Sequence, residues 1–133
     1  MTAKRREPRW LTQNMALAIH ADQLRQHGGA IGLRDQGLFE SALQRPLHRW
    51  QYDPKADLCA LAAAYGIGLV KNHPFVDGNK RVAFQVMYVF LGLNGLRIIA
   101  EEPEVVSVMV GAASGTVDES SLAAWLRQHS HLR

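Results

Sequence analysis

Apolar residues recur at intervals of three and four along most of the chain, which is the spacing of an α-helix with one buried face. Glycines, prolines and capping residues separate these stretches, as they do at helix ends. Either Asp118 or a capping box of Thr116 with Glu119 begins the last of them. No strand-like alternation of apolar and polar residues is evident. The sequence therefore predicts an all-α bundle with helices over about residues 11–27, 35–46, 57–72, 79–94, 103–110 and 118–129.

The apolar stripes also predict which face of each helix is buried. In the first helix the stripe consists of Met15, Ala18, Ile19 and Leu24. Pro46 is expected to stop the second helix, because proline cannot donate the next helical hydrogen bond. We therefore expect a loop from residue 46 to residue 56.

The fourth predicted helix is apolar on nearly every side, since Val82 and Val86 lie on one side of it and Phe84, Met87 and Leu91 lie on others. A helix of this kind is buried, so we expect it to be the central helix of the compact bundle. Gly66 and Gly68 lie inside the third helix, where each costs up to about 1 kcal/mol relative to alanine. They are expected to let the next helix approach closely.

Length and charge predict a single domain with a basic leader. The chain has 133 residues, of which 47% are hydrophobic, enough for one buried core. Its formal net charge of +3 equals that of residues 1–10 alone, and the remaining residues carry 11 basic and 11 acidic side chains. We expect a flexible basic tail over 1–10 and one domain over 11–133. A neutral body argues against direct nucleic-acid binding.

Cysteine content and hydropathy predict a cytoplasmic protein. Cys59 is the single cysteine, which fits a reducing compartment and excludes an intramolecular disulfide. The longest apolar run, Val82 to Leu93, is too short to span a bilayer. The basic start is not followed by the apolar region of a signal peptide.

The stretch from residue 73 to residue 83 carries the candidate chemistry. Gly78, Asn79, Lys80 and Arg81 stand where a loop enters the fourth helix, and the first N–H groups of a helix bind anions. Cations in the first helical turn oppose the helix dipole, so Lys80 and Arg81 indicate an anionic ligand such as a phosphate chain. The four residues are therefore the predicted phosphate-binding or nucleotide-binding residues.

Two further polar residues complete this stretch. His73 is a candidate general base near neutral pH. Asp77 is a candidate ligand of Mg²⁺, with water and phosphate oxygens in the remaining positions, and Phe75 is the expected inward anchor of the loop. Together these residues predict transfer from a nucleotide to a hydroxyl group. A zinc site at His73 and Asp77 is less favoured, since no third ligand stands at suitable spacing.

Residues 73–81 resemble the signature of the Fic/Doc superfamily, HxFx(D/E)GN(G/K)R, at every defined position. The resemblance extends upstream to the stretch from Gly28 to Pro46, which is similar to the death-on-curing (Doc) branch. It covers about residues 12–128. In that comparison Arg34 and Asp35 are expected to serve the structure, with Asp35 as a helix cap.

Two positions distinguish the branches of this superfamily. Fic proteins that transfer AMP have a second glycine where this chain has Lys80, and a second arginine where it has Phe84. The lysine fills space that a transferred α-phosphate needs, and without the arginine the outer phosphates lose a clamp. The resemblance implies that ATP binds in the reversed sense and gives up its γ-phosphate.

The resemblance to the Doc branch implies a toxin of a toxin–antitoxin pair. Its implied reaction is phosphorylation of a threonine in translation elongation factor Tu, which arrests translation, with His73 as base and Asp77 as Mg²⁺ ligand. Many Fic proteins carry an inhibitory helix with the pattern [S/T]xxxE[G/N], and no glutamate here has Ser or Thr four residues earlier. The implied inhibitor is a separate antitoxin whose C-terminal segment folds on the toxin. AMP transfer and a non-catalytic binding module remain the alternatives.

Overall fold

The computed structural model describes residues 5–133 as six helices and one small antiparallel sheet. The predicted all-α bundle of about six helices is confirmed. The elements are α1 (Gln13–His27), α2 (Gln36–Tyr52), α3 (Leu58–Asn72), α4 (Asn79–Leu93), β1 (Leu96–Ile98), α5 (Glu102–Ser114), α6 (Glu119–His129) and β2 (Ser130–Leu132). No helix within the described residues is long and apolar enough to cross a membrane.

The central helix of the bundle is α3, and the prediction that the fourth helix holds this position is wrong. Every residue of α3 from Cys59 to Val70 is buried, with α2, α4, α5 and α6 packed around it. Most of its residues are small, which lets neighbouring helices approach on all sides. One side of α4, in contrast, leaves Phe84, Gln85 and Tyr88 only half-buried.

The two glycines of α3 face different neighbours. A Cβ added to Gly66 would lie 2.5 Å from Met87 Sδ on α4, and one added to Gly68 would lie 3.2 Å from the carbonyl oxygen of Ala42 on α2. The expected close approach of the next helix, α4, is therefore found at Gly66, whereas Gly68 allows the close approach of α2.

Pro46 lies inside α2 and does not end it. Its missing N–H would have bonded the carbonyl of Ala42, which is the group that Gly68 approaches. The helix continues to Tyr52 because its two ends are fixed by other contacts, including the Asp35 cap. Tertiary packing thus overrides the local signal to stop.

Side-chain caps begin four of the helices, where a carboxylate or hydroxyl oxygen accepts from a first-turn N–H group. These caps are Thr12, Asp35, Asp57 and Asp118. Asp118 accepts from Ser121 N at 2.8 Å, which decides between the two predicted starts of the last helix. Asp57 also binds Arg127 of α6 at 2.7 Å, and this hydrogen bond lowers the pKa of the Asp57 carboxyl.

The buried face of α1 differs from the predicted one. Ala16, His20 and Gln23 are buried, whereas Met15 of the predicted stripe is 39% exposed. Two of the three buried residues are polar, so an apolar stripe could not reveal this face. Their burial brings α1 against the loop that precedes α4, as described below.

The small sheet pairs β1 with β2 and was not predicted. Leu96 lies opposite Leu132 and Ile98 lies opposite Ser130. Each strand has three residues, too few for an alternating pattern to be visible in the sequence. The pairing ties the end of the chain to the segment that follows α4.

Residues 5–10, which the sequence assigns to a flexible tail, lie against the domain. The Arg5 guanidinium is 3.6 Å from the centre of the Trp50 ring, and Trp10 packs edge-on against the same ring. Asn94 bonds both the N–H and the carbonyl of Arg9. Residues 1–4 of the predicted tail lie outside the described residues, and the domain boundary at residue 10 stays a prediction.

Gly66→Ala is expected to destabilise the protein by roughly 1–2 kcal/mol. The added methyl group must displace the fully buried Met87, and overpacking of this kind outweighs the better helix propensity of alanine. The free energy of unfolding in urea measures the change. Gly92→Ala is the matched control, because its Cβ would meet only the tip of Arg133 at 3.4 Å. Equal stability of the Gly66 variant and the control would contradict this account of the α3–α4 contact.

Candidate active site

The predicted site residues lie on the loop that joins α3 to α4 and on the first turn of α4. His73 caps the C-terminal end of α3 with φ 51° and ψ 53°. It is the one non-glycine residue with positive φ among residues 5–133. A left-handed conformation costs roughly 1–2 kcal/mol for a residue with a Cβ, and such strain is common at functional sites. The His73 side chain is exposed.

Arg34 fixes the backbone around His73. Its Nε donates to the His73 carbonyl at 2.8 Å, and its Nη2 donates to the Asn72 carbonyl at 3.0 Å. The backbone N–H groups of Arg34 and Asp35 both donate to the Pro74 carbonyl. A guanidinium at the negative end of the α3 dipole is favourable. The structural role expected for Arg34 and Asp35 is confirmed, and it includes holding the candidate base.

The middle of the loop is closed by Phe75 and Asn79. The Asn79 Nδ2 donates to the Phe75 carbonyl at 2.9 Å, and its Oδ1 accepts from the Phe75 N–H at 3.0 Å. The Phe75 ring is 1% exposed and packs edge-on against Phe39. The side chain of Asn79 is therefore committed to the loop, and only its backbone N–H is directed toward a ligand at the helix start.

Asp77 stands at the end of the loop with its carboxylate exposed. One carboxylate oxygen, Oδ1, accepts from Gly78 N at 2.8 Å. The other, Oδ2, lies 3.4 Å from Ala30 N, in the glycine turn that follows α1. The Asp77 carbonyl lies 3.2 Å from Nε2 of the buried His20. The candidate metal ligand is thus held from α1 as well as from its own loop.

Gly78 opens α4 in the left-handed conformation, with φ 81°, and no side chain caps the helix. A Cβ at this position would meet no atom within 4 Å, so open space lies above the glycine. The first N–H groups of α4 have no intrahelical acceptors. This arrangement suits the close approach of a phosphate oxygen.

Lys80 and Arg81 are exposed in the first turn of α4 and line a cleft of about 540 Å³ between α1, α4 and α5. The described residues that line it include Phe84, Tyr88 and Met109 on its apolar side, but not His73 or Asp77. The cleft therefore borders the first turn of α4, where Lys80 and Arg81 lie, and does not include the candidate base or the candidate metal ligand in its lining.

The sequence model of the Fic/DOC family matches residues 10–91, more than half of the chain. The chain belongs to this family. The match ends inside α4, so it contains every residue of the candidate site. The match to the Fic/DOC family thus includes the whole loop in which a histidine, a carboxylate and the start of α4 follow one another.

Two relatives extend the comparison to whole proteins. A protein of Escherichia phage P1 named "Protein kinase doc" is 32% identical over 120 residues, which are 90% of this chain and 94% of the relative. A protein of Mycolicibacterium smegmatis named "Toxin Doc" is 39% identical over 75 residues, which are 56% of this chain and 58% of the relative. The Fic/DOC chain described here is thus similar to a Doc protein along nearly its full length.

The donor set of this Fic/DOC protein fits magnesium better than zinc. Within residues 5–133 no three His, Cys, Asp or Glu side chains come together as a metal site. Zinc sites supply three or four protein ligands, whereas Mg²⁺ is held by one or two carboxylates together with water and substrate phosphates. Asp77, exposed beside the α4 N-terminus, is the residue that would hold it.

Two contributors to the site were missed by the sequence reasoning. The sequence predicts no role at the site for His20, which stands at no metal-ligand spacing, and places Gly28 and Gly29 only at the end of the first helix and in the stretch that resembles the Doc branch. A Cβ at Gly29 would lie 2.9 Å from Asp77 Oδ2. A larger residue at this position would therefore force the Asp77 carboxylate to shift. The spacing of Ala16, His20 and Gln23 on one helical face was the available signal.

Asn79→Ala is expected to destabilise the protein by about 2 kcal/mol or more, because the buried N–H and carbonyl of Phe75 lose their partners. Lys80→Ala removes an exposed cation from the same helical turn and is expected to leave the free energy of unfolding unchanged or to raise it by up to about 1 kcal/mol, because the cation opposes the helix dipole. Urea unfolding of both variants measures the difference. Equal effects would show that Asn79 does not close the loop.

Proposed function

We propose that this Fic/DOC protein transfers the γ-phosphate of ATP, bound with Mg²⁺, to a hydroxyl group of a protein target. The observation that supports it most is the start of α4, where an uncapped helix, a left-handed glycine and two exposed cations follow His73 and Asp77 in one short loop. An anion with several oxygens satisfies all of these groups together. The resemblance to the Doc branch supplies the implied target, a threonine of elongation factor Tu.

In this proposal His73 takes the proton of the attacking hydroxyl, because its imidazole is exposed and can accept a proton. Arg34 keeps the His73 backbone in its strained conformation through the carbonyl contacts described above. Gly78 leaves room for a phosphate oxygen to approach the helix start, Asn79 and Lys80 present backbone N–H groups to it, and Arg81 presents a fork of donors. Asp77 holds Mg²⁺, which would neutralise charge on the phosphate chain.

The position of Lys80 supports γ-phosphate transfer over AMP transfer. Its side chain lies at the cleft, at the place where AMP-transferring Fic proteins have glycine. Phe84, where those proteins have an arginine, lies one turn further along the cleft and offers no charge to outer phosphates. The cleft is therefore less suited to holding the β- and γ-phosphates away from His73.

The name of the Mycolicibacterium smegmatis relative, "Toxin Doc", supports a role as a toxin, and the resemblance to the Doc branch implies a paired antitoxin. We propose that the protein acts in the cytoplasm and arrests translation there. Its inhibitor would be a separate antitoxin chain whose C-terminal segment folds on the toxin, since the sequence lacks the internal inhibitory pattern. Folding on binding suits such a regulator, because the segment is ordered only in the complex.

His73→Ala is expected to lower the rate of phosphate transfer by roughly 10²–10⁴-fold, since it removes the general base. Binding of ATP with Mg²⁺ is expected to persist, which a ligand-dependent rise of the melting temperature would show. His131→Ala, in the distant strand β2, is the control and should retain full activity. Unchanged transfer by the His73 variant would refute its role as base.

The position of a radioactive label on ATP distinguishes the two possible transfers. Incubation with elongation factor Tu and Mg²⁺ is expected to label the target from γ-labelled ATP and not from α-labelled ATP. The intact mass of the target should then increase by one phosphate. Labelling from the α-phosphate would establish AMP transfer and overturn the argument from Lys80. Absence of both labels would count against this target, and loss of ATP binding as well would favour a non-catalytic module.

A further inference from the structure

We infer that His20 of α1 is a positioning residue that sets the orientation of Asp77 for metal–nucleotide binding. The inference rests on the proposed function for its consequences, but its geometric basis is independent of it. His20 is 7% exposed, and its Nε2 lies 3.2 Å from the Asp77 carbonyl oxygen. Because a carbonyl can only accept, Nε2 carries the proton in this hydrogen bond.

The His20 ring holds the loop at a second point. It stacks on the Phe75 ring with 4.0 Å between the centroids and 12° between the planes. Phe75 is fixed in turn by the Asn79 side chain and by a bridge to Leu33. One side chain from α1 therefore contacts the loop on both sides of Val76, once through its face and once through its edge.

The carboxylate of Asp77 is bounded by the turn that follows α1. Gly29 passes so close to Oδ2 that a methyl group would not fit, and Ala30 N lies 3.4 Å from the same oxygen. The carbonyl of Asp77 is fixed by His20, and Oδ1 is fixed by Gly78 N. The direction of the Asp77 carboxylate is thus determined jointly by His20 of α1, by Gly29 in the turn that follows α1, and by Gly78 at the start of α4.

Loss of the His20 donor would release the peptide between Asp77 and Gly78. This peptide ends in a glycine without a Cβ, with open space above it, so few other contacts oppose its rotation. The His73 end of the loop is held separately by Arg34. We therefore expect a selective defect in which metal binding weakens while the candidate base keeps its position.

The test compares His20→Phe, which keeps a ring on Phe75 but removes the donor, with His20→Gln, whose side-chain amide places a donor at the same number of bonds from Cα. The Mg²⁺ concentration that half-saturates activity is expected to rise roughly tenfold in His20→Phe, the size typical of a lost outer partner of a metal ligand. The turnover rate at saturating Mg²⁺ should change less than about threefold, and His20→Gln should recover most of the metal affinity.

Phe39→Leu is the matched control, because it loosens the edge-on packing of Phe75 while the His20 donor to the Asp77 carbonyl stays in place. Its Mg²⁺ dependence should equal that of the wild type. An equal shift in Phe39→Leu and His20→Phe would overturn the inference, because loop packing alone would then explain the effect. If His20→Phe does not fold, His20→Leu removes the donor in its place.

Amide hydrogen exchange supplies a readout that needs neither activity nor metal. Without ligand, exchange of the Val76 and Gly78 amides, which donate to the Gly32 carbonyl and the Asp77 carboxylate, is expected to accelerate in His20→Phe while exchange in α3 stays unchanged. Unchanged exchange of these two amides would refute the positioning role even in an active enzyme. If the wild type itself fails to bind ATP with Mg²⁺, the proposed function fails, and the exchange result still decides the role of His20.

Discussion

The close packing of α3 against α4 fixes the two ends of the loop on which the site depends. At Gly66 the two helices approach so closely that a Cβ on α3 would lie 2.5 Å from Met87 Sδ on α4. The loop between them is short, since α3 ends at Asn72 and α4 begins at Asn79. With both anchor points set by helix packing, the loop has few conformations left, and local hydrogen bonds are enough to select one of them.

The polar residues of this loop fall into two groups. Asn79 and the backbone of Phe75 bond each other and are buried, so they maintain the shape of the loop. His73, Asp77, Lys80 and the arginine that follows it keep their side chains exposed. The motif therefore combines a rigid inner part with an outer set of reactive groups, which is the arrangement that preorganisation requires.

The sequence was informative wherever one local rule acted alone. The start of α2 at its Asp35 cap followed from a capping rule, and the approximate positions of the six helices followed from the spacing of apolar residues. The prediction that Pro46 ends α2 was wrong. The Ala42 carbonyl, which Pro46 cannot bond, is the group that Gly68 of α3 approaches. Contacts of this kind join residues far apart in the chain, and no local pattern records them.

In the candidate site, too, groups that are adjacent in the sequence were predicted, and contacts between distant parts of the chain were not. The family motif identified every exposed polar group of the loop, because those groups are adjacent in sequence. The contributions of His20, Gly29 and Arg34 come from a different part of the chain and became visible only when α1 and the start of α2 were placed against the loop. Burial of a histidine on a mostly polar helix face is decided by its partner, in this case the Asp77 carbonyl and the Phe75 ring.

The helix starts provide the physical argument that ties the fold to an anionic ligand. Among the helices of residues 5–133, four begin with a capping side chain, and α5 instead carries Glu102 and Glu104 in its first turn. Only α4 has neither a capping side chain nor an acidic residue there, and it carries Lys80 and Arg81 instead. Each cation at this position costs typically about 0.3–1 kcal/mol. Each of the other helix starts thus has a capping side chain or an acidic first turn, and the start of α4 has neither, which is the physical basis of the anionic ligand that we propose.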